Sequence, residues 1–268
     1  FFFFFFFFFF FFFFFFLLPQ REGTLPTQDR AGLLLDCMAL TNAKMLDPAL
    51  LLTLLAAYKA EEECVVWDAI APALGSLHKA LLGDEKLSKH LRSFASSIVE
   101  PAAAKVGWDS RPEDKHLTKL LRQTLVSLLG KFSDSDQVVD EARKRFASVM
   151  ADPSDTQACP SDYRTSVYSL ALKHGGKQEY DQLLKLFASL DNNADRKQVL
   201  NSIGFGPTRE LKTAALDWTT SGAVKLQDFF YPIASGPFVV CCGPSDVLCC
   251  AVLLPSLFLL FWALLLTL

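Results

Sequence analysis

The sequence is poor in histidine and methionine, with four and three residues in 268, and it has no charge at either end. No Asp, Glu, Lys or Arg precedes Arg21 or follows Asp246. Several catalytic signatures are missing. There is no His-Glu-x-x-His, so the zinc-binding helix of the zincins does not occur in these residues. There is no Gly-x-Ser-x-Gly, no phosphate-binding Gly-rich loop and no paired dinucleotide-binding glycines. No window alternates apolar and polar residues over a strand length, which argues against a sheet. Basic residues are not in excess: 26 Lys and Arg face 29 Asp and Glu, for a net charge of −3, so nucleic acid is not an expected partner. The seven cysteines are an odd number, and four of them crowd into Cys241, Cys242, Cys249 and Cys250. That argues against a secreted disulfide framework, and Cys37, Cys64 and Cys159 read as reduced thiols.

The middle of the chain is a succession of helix signatures. Between Leu25 and Phe230 apolar residues recur at helical spacing, and turn residues punctuate them. Thr27 is expected to cap a first helix whose face is Ala31, Leu34, Leu35, Met38 and Ala39. Asp47-Pro48 opens a second, with the stripe Leu51, Leu54, Leu55 and Tyr58. A third runs from about Glu63 to Leu82, with Val66, Ile70, Ala73, Leu74, Leu77 and Leu81 inward and a kink at Pro72. Asp84 caps a fourth carrying Leu87, Leu91, Phe94 and Ile98, interrupted by Pro101. A fifth begins near Asp114 with Leu117, Leu120, Leu121, Leu125 and Leu128, and Gly130 is expected to end it. The sixth carries Val138, Val139, Ala142, Phe146 and Val149. The seventh carries Tyr163, Val167, Leu170 and Ala171 and stops at His174-Gly175-Gly176. The eighth carries Tyr180, Leu183, Leu184 and Phe187. Two shorter helices follow, around 195–203 and 208–219. The fold class is therefore all-α, with short links that make sequential helices antiparallel hairpins. Such a series reads as an incomplete solenoid-like stack of the HEAT or armadillo kind. Trp67, Trp108, Phe146 and Tyr168 sit on or beside apolar stripes and are expected to be packing residues.

The two ends read differently from the middle. Residues 1–18 open with sixteen consecutive phenylalanines, without period, cap or turn. They are expected to be a low-complexity segment with no selected fold. Residues 247–268 are 22 uncharged residues, mostly Leu. As a helix they would span about 30 Å, the thickness of a bilayer core. They are expected to form a separate apolar helix, a candidate tail anchor that would make the membrane a partner and a location.

The residues that could carry chemistry are few. His174 at a helix end suits the macrodipole, and His116 lies in a first turn. His78 and His90 belong to no ligand spacing. The acidic run Glu61, Glu62 and Glu63 reads as a solvated first turn, and Arg143, Lys144 and Arg145 as a solvated face. Gly204-Phe205-Gly206-Pro207 reads as a turn. No catalytic, metal-binding or cofactor-binding residue is assigned, and the substrate-binding residues cannot be chosen from sequence.

The order of short motifs carries a family resemblance. The stretch Leu25-Pro26-Thr27-Gln28-Asp29-Arg30-Ala31-Gly32-Leu33, then Val65-Val66-Trp67, Gly107-Trp108-Asp109, Leu121-Arg122 with Leu129-Gly130, Glu141-Ala142-Arg143-Lys144-Arg145-Phe146, Asp162-Tyr163-Arg164 with Val167-Tyr168, Lys173-His174-Gly175 and Gln227-Asp228 follow one another in this order. The series resembles the C-terminal helical (ERAP1-like) domain of M1 zinc aminopeptidases, nearest the puromycin-sensitive branch. It covers about residues 17–230, and residues 19–235 are taken as the domain. The family's Leu-Gly-Trp element has Val106 here in place of Leu, and Tyr163 also departs from the pattern.

The resemblance implies a non-catalytic module of a zinc exopeptidase. In the family this module covers the active site and helps bind the peptide substrate, which would be the partner through an absent catalytic domain. Zinc and the Gly-Ala-Met-Glu-Asn motif belong to domains upstream of the matched segment. The branch implied is mainly cytoplasmic. Unrelated sequence at both ends is what a mis-spliced transcript would produce. The alternative reading is a free-standing, tail-anchored helical-repeat protein that binds a partner on a concave surface.

Overall fold

The computed structural model describes residues 25–235, residue 82 excepted. Helices start where a side-chain oxygen can take an orphan amide of the first turn. Asp47 accepts from the Ala49 amide at 2.8 Å, with Pro48 in the first helical position. Asp84 accepts from Leu87 at 2.9 Å, Asn192 from Ala194 at 2.9 Å and Thr208 from Leu211 at 3.3 Å. The helices are α1 (Thr27–Asn42), α2 (Pro48–Ala57), α3 (Cys64–Ala80), α4 (Glu85–Val106), α5 (His116–Phe132), α6 (Asp136–Ala151), α7 (Ser161–His174), α8 (Lys177–Ser189), α9 (Asn193–Ile203), α10 (Arg209–Trp218) and α11 (Phe230–Ser235). A π-helical turn at Thr219–Ala223 and a 3-10 turn at Leu226–Asp228 lie between α10 and α11. The described residues contain no strand, and the chain has the all-α, solenoid-like class expected from its periodicity.

The described residues divide into two compact units, one ending at Val138 and one beginning at Val139. In the first, α1 packs more extensively on α3 than on its hairpin partner α2, and α3 packs in turn on α5. Leu34, Leu51, Leu54, Leu55, Trp67, Ile70, Leu74 and Ile98 are buried at the centre. Each contributes about 1.5–3 kcal/mol by leaving water. In the second, α9 packs on α7, α8 and α11. Val167, Leu170, Leu183, Val199, Leu200 and Ile203 form its interior, and Phe146 meets the Tyr168 ring edge-on at 6.0 Å.

Several local expectations are corrected. Thr27 is the first residue of α1, not its cap, and that helix buries Ala31, Leu34 and Cys37 while Leu35 and Ala39 face water. Leu87, Leu117 and Leu120 are also exposed, because a heptad-like pattern fixes a stripe only to within one residue on either side. Proline and glycine terminate less than expected. Pro101 lies inside α4, which continues to Val106 because Ile98, Val99 and Ala102 on both sides of it are buried. Gly130 is buried inside α5, where its propensity cost of about 1 kcal/mol is outweighed by bringing Phe132 into the core. Trp67, Phe146 and Tyr168 are buried as expected, while Trp108 is half-buried.

The expected membrane localisation is overturned. No helix among the described residues is long and apolar enough to cross a membrane. Residues 247–268, on which that expectation and the separate apolar helix rested, lie outside the described residues, as do residues 1–18 and Cys241, Cys242, Cys249 and Cys250.

Candidate functional site

The four histidines are not brought into one site. His90 and His116 are exposed on α4 and α5. His78 on α3 meets the Phe132 ring edge-on at 5.6 Å, a packing contact. The His174 carbonyl ends α7 and accepts from Arg143 Nη2 at 2.8 Å. Beside it, Gly175 is required by close approach, since an added Cβ would lie 2.6 Å from the Ala171 carbonyl. Glu179 reaches back to the Gly176 amide at 2.7 Å and closes the start of α8. Among the described residues no group of three His, Cys, Asp or Glu side chains could hold a metal ion. The described residues therefore offer no ligand set for the family's zinc.

What the structure does assemble is a cleft of about 250 Å³ in the first unit. It lies between the segment before α3, the end of α4, the loop after α4 and the first turns of α5. Its floor is apolar: Trp67, Ala102, Leu121 and Leu125 are all buried. Its rim is charged, with Glu61, Glu62 and Asp114 against Lys105 and Arg111.

Glu61 is not the solvated residue that its acidic run suggests. Arg30 from α1 grips its carboxylate with Nε at 2.8 Å and Nη2 at 3.1 Å, and the Glu61 side chain is only 6% exposed. The same carboxylate caps α3 from outside, accepting from the amides of Glu62 at 3.0 Å and Glu63 at 2.9 Å. The Trp67 indole N–H donates to the Glu61 carbonyl at 3.1 Å, which fixes the aromatic floor of the cleft to its acidic wall. Glu62 and Lys105 form an exposed pair at 2.7 Å.

The opposite wall is set by a buried arginine. Gly107 ends α4 with φ of +73°, a left-handed conformation that favours glycine, and its carbonyl accepts from Arg122 Nε at 3.0 Å. Arg122 Nη2 donates to Asp114 at 2.6 Å and to the Val106 carbonyl at 3.3 Å. Asp114 also accepts from the Arg111 amide at 2.7 Å. That backbone bond, then the Arg122 guanidinium, holds the Asp114 carboxyl below the usual carboxylate range. Arg122 is 1% exposed. Its Nη1 has no hydrogen-bond partner among the described residues.

In the second unit the expected solvated face is partly wrong. Arg145 is buried: its guanidinium pairs with Glu141 at 2.7 Å and donates to the Ala158 carbonyl at 2.8 Å. Arg164 is also buried and donates to the carbonyls of Pro153 at 2.7 Å and Cys159 at 3.4 Å. Burial pushes the Cys159 thiol up to about 11, so it is an inert packing group at neutral pH. The roles of Arg30, Glu61 and Arg122 were missed in the sequence because their partners lie 31, 31 and 8 residues away. The only signal was an arginine directly beside a residue of an apolar stripe, as in Leu121-Arg122.

The family described as ERAP1-like C-terminal domain matches residues 16–237. Aminopeptidase M1 of Arabidopsis thaliana is 29% identical over 215 residues, covering 79% of this chain and 24% of that protein. Aminopeptidase M1-A of Oryza sativa subsp. japonica is 30% identical over 212 residues, covering 77% and 24%. Glutamyl aminopeptidase of Homo sapiens is 24% identical over 209 residues, covering 77% and 21%. The chain thus spans about a quarter of the length of the curated relatives it matches. With its all-α architecture and this match over most of its length, the chain belongs to the ERAP1-like C-terminal domain family of the M1 aminopeptidases.

Proposed function

We propose that the chain acts as the non-catalytic helical module of a larger M1 aminopeptidase, covering the active site and helping to hold the peptide substrate. One observation supports this above the others: the family match fills residues 16–237 of this chain yet corresponds to about a quarter of each relative. The relatives are named as aminopeptidases, and neither His-Glu-x-x-His nor Gly-Ala-Met-Glu-Asn occurs in the 268 residues. In this reading zinc and the hydrolytic step belong to the rest of the enzyme. The helices supply walls that exclude water and restrict which peptides reach the reacting bond.

The test has two arms. Pure chain supplied with zinc is expected to leave an aminoacyl anilide intact. Chelator-sensitive hydrolysis by that preparation would show that the chain carries its own catalytic centre. Joined to the catalytic portion of a relative in place of the relative's own C-terminal segment, it is expected to change the dependence of cleavage on peptide length. An unchanged length profile would remove the covering role.

A further inference from the structure

A count of formal charges on the cleft gives three acids, Glu61, Glu62 and Asp114, and two bases, Lys105 and Arg111. By that count the cleft should prefer a cation. The hydrogen bonds reverse the preference. Glu61 accepts from two N–H groups of Arg30 and from two backbone amides. The Asp114 oxygen on the wall is taken by Arg122 and by the Arg111 amide. Each of these carboxylates is already neutralised by a guanidinium, Arg30 on Glu61 and Arg122 on Asp114, so neither adds net negative charge to the cleft. The bases are less committed. The Arg111 guanidinium is exposed and has no hydrogen bond or ion pair among the described residues. Lys105 uses one ammonium proton on Glu62 in a pair where both side chains are more than 60% exposed, an interaction that exchanges readily. The Thr118 hydroxyl on the same rim is also free among the described residues.

We infer that this cleft is a binding site for a carboxylate carried on an apolar stem, with the stem against Trp67, Leu121 and Leu125 and the carboxylate on Arg111 and Lys105. Charge complementarity selects the anion, because Arg30, Arg122 and Lys105 balance Glu61, Asp114 and Glu62, and the Arg111 guanidinium is left as the unbalanced charge at the rim. Size selects a stem of about one amino-acid residue, since 250 Å³ is below the roughly 300–1,000 Å³ of drug-sized ligand sites. The same chemistry is offered by a free organic acid and by an acidic residue next to an aromatic one in a peptide. The inference does not rest on the covering role proposed above, because the site is complete within the first unit.

Calorimetric titration of the full chain tests it with four probes: N-acetylphenylalanine, its neutral amide, phenethylamine, and an acetylated and amidated peptide with internal Phe-Glu. The acid is expected to bind about tenfold more tightly than the amide, and the amine not at all. Arg111→Gln should reduce acid binding to the level of the amide and leave the amide unchanged. Glu62→Gln, which releases Lys105, should tighten the acid about two- to threefold, and added salt should weaken it. Binding of N-acetylphenylalanine alone points to a small organic acid, and binding of the Phe-Glu peptide to a peptide segment; either supports the site. Equal binding of acid and amide, tighter binding of the amine, or no heat from any probe at millimolar concentration would overturn it. Should Arg111→Gln lose helical content, the comparison of acid with amide on the unaltered chain still decides.

Discussion

In the unit ending at Val138 the buried guanidinium of Arg122 meets the Asp114 carboxylate at 2.6 Å, whereas in the unit beginning at Val139 that of Arg164 meets the Pro153 carbonyl at 2.7 Å. The contrast extends beyond one residue. The first unit joins distant segments through ion pairs, Arg30 to Glu61 and Arg122 to Asp114. The second joins them through arginines on main-chain oxygens, Arg143 on His174, Arg145 on Ala158, Arg164 on Pro153 and Arg196 on Leu190, while its Arg145–Glu141 pair lies within a single helix. Aromatic edges supplement these in the second unit, where Phe187 meets Trp218 at 5.1 Å and the Arg196 guanidinium stacks over Phe187 at 5.3 Å. An ion pair can be titrated at its acid. A carbonyl cannot, and only the planar fork of arginine reaches two of them at once. The two units should therefore respond differently to acid and to conservative substitution.

The largest effect is expected from the aromatic interior of the second unit. Phe146→Ala removes a ring that is 5% exposed and packed on Tyr168, and should cost about 3–5 kcal/mol. Denaturant unfolding followed by alkylation of Cys159 reads it, because that buried thiol reacts only when its surroundings open. A loss below about 1 kcal/mol would mean that the site collapses around the missing ring.

Arg164→Lys is the next test. The ammonium keeps the charge but cannot reach both the Pro153 and Cys159 carbonyls, and about 1–3 kcal/mol should be lost. The equivalent unfolding measurement on Cys37 and Cys64, buried in the first unit, should not change. A lysine that restores full stability would show that charge, not the fork, is what that loop needs.

Acid separates the units by sign. The Asp114 carboxyl is held below its ordinary value, so its contribution is present above the unfolded aspartate range of about 3.9 and is lost as pH falls through the lowered folded value. Arginine on a carbonyl has no such limb. Falling pH should expose Cys37 and Cys64 before Cys159, and Asp114→Asn should flatten the first unit's acid limb. Simultaneous exposure of all three thiols would erase the distinction.

The smallest effect belongs to the exposed pair of Lys105 and Glu62. Lys105→Gln should change stability by no more than about 1 kcal/mol, since both side chains are largely in water. A larger loss would show that the pair holds the cleft rim together.

Much of this architecture is legible from spacing alone. The stripe Leu51, Leu54, Leu55 and Tyr58 and the stripe Val138, Val139, Ala142, Phe146 and Val149 are buried throughout, because the helical period places them on one side whatever they pack against. Asp47 and Asp84 cap as read, since a cap and its amide are two or three residues apart. The ordered motifs lead to the same family as the match over residues 16–237. Where a helix must run through Pro101 or Gly130, local rules mislead, for the gain that keeps it helical comes from residues elsewhere in the fold.

The cleft was not legible at all. A triplet of glutamates and a lone arginine look alike in sequence whether they face water or each other. Their states depend on which charges the fold brings within hydrogen-bonding distance, and Glu61 meets Arg30 across 31 residues. The sequence by itself determined that this chain would be helical, where most helices begin and which family it joins, because periodicity and capping act over one or two turns. Only the tertiary structure decided which carboxylates are neutralised by a guanidinium and which cations remain available, because that allocation is made between segments whose separation along the chain carries no local signal.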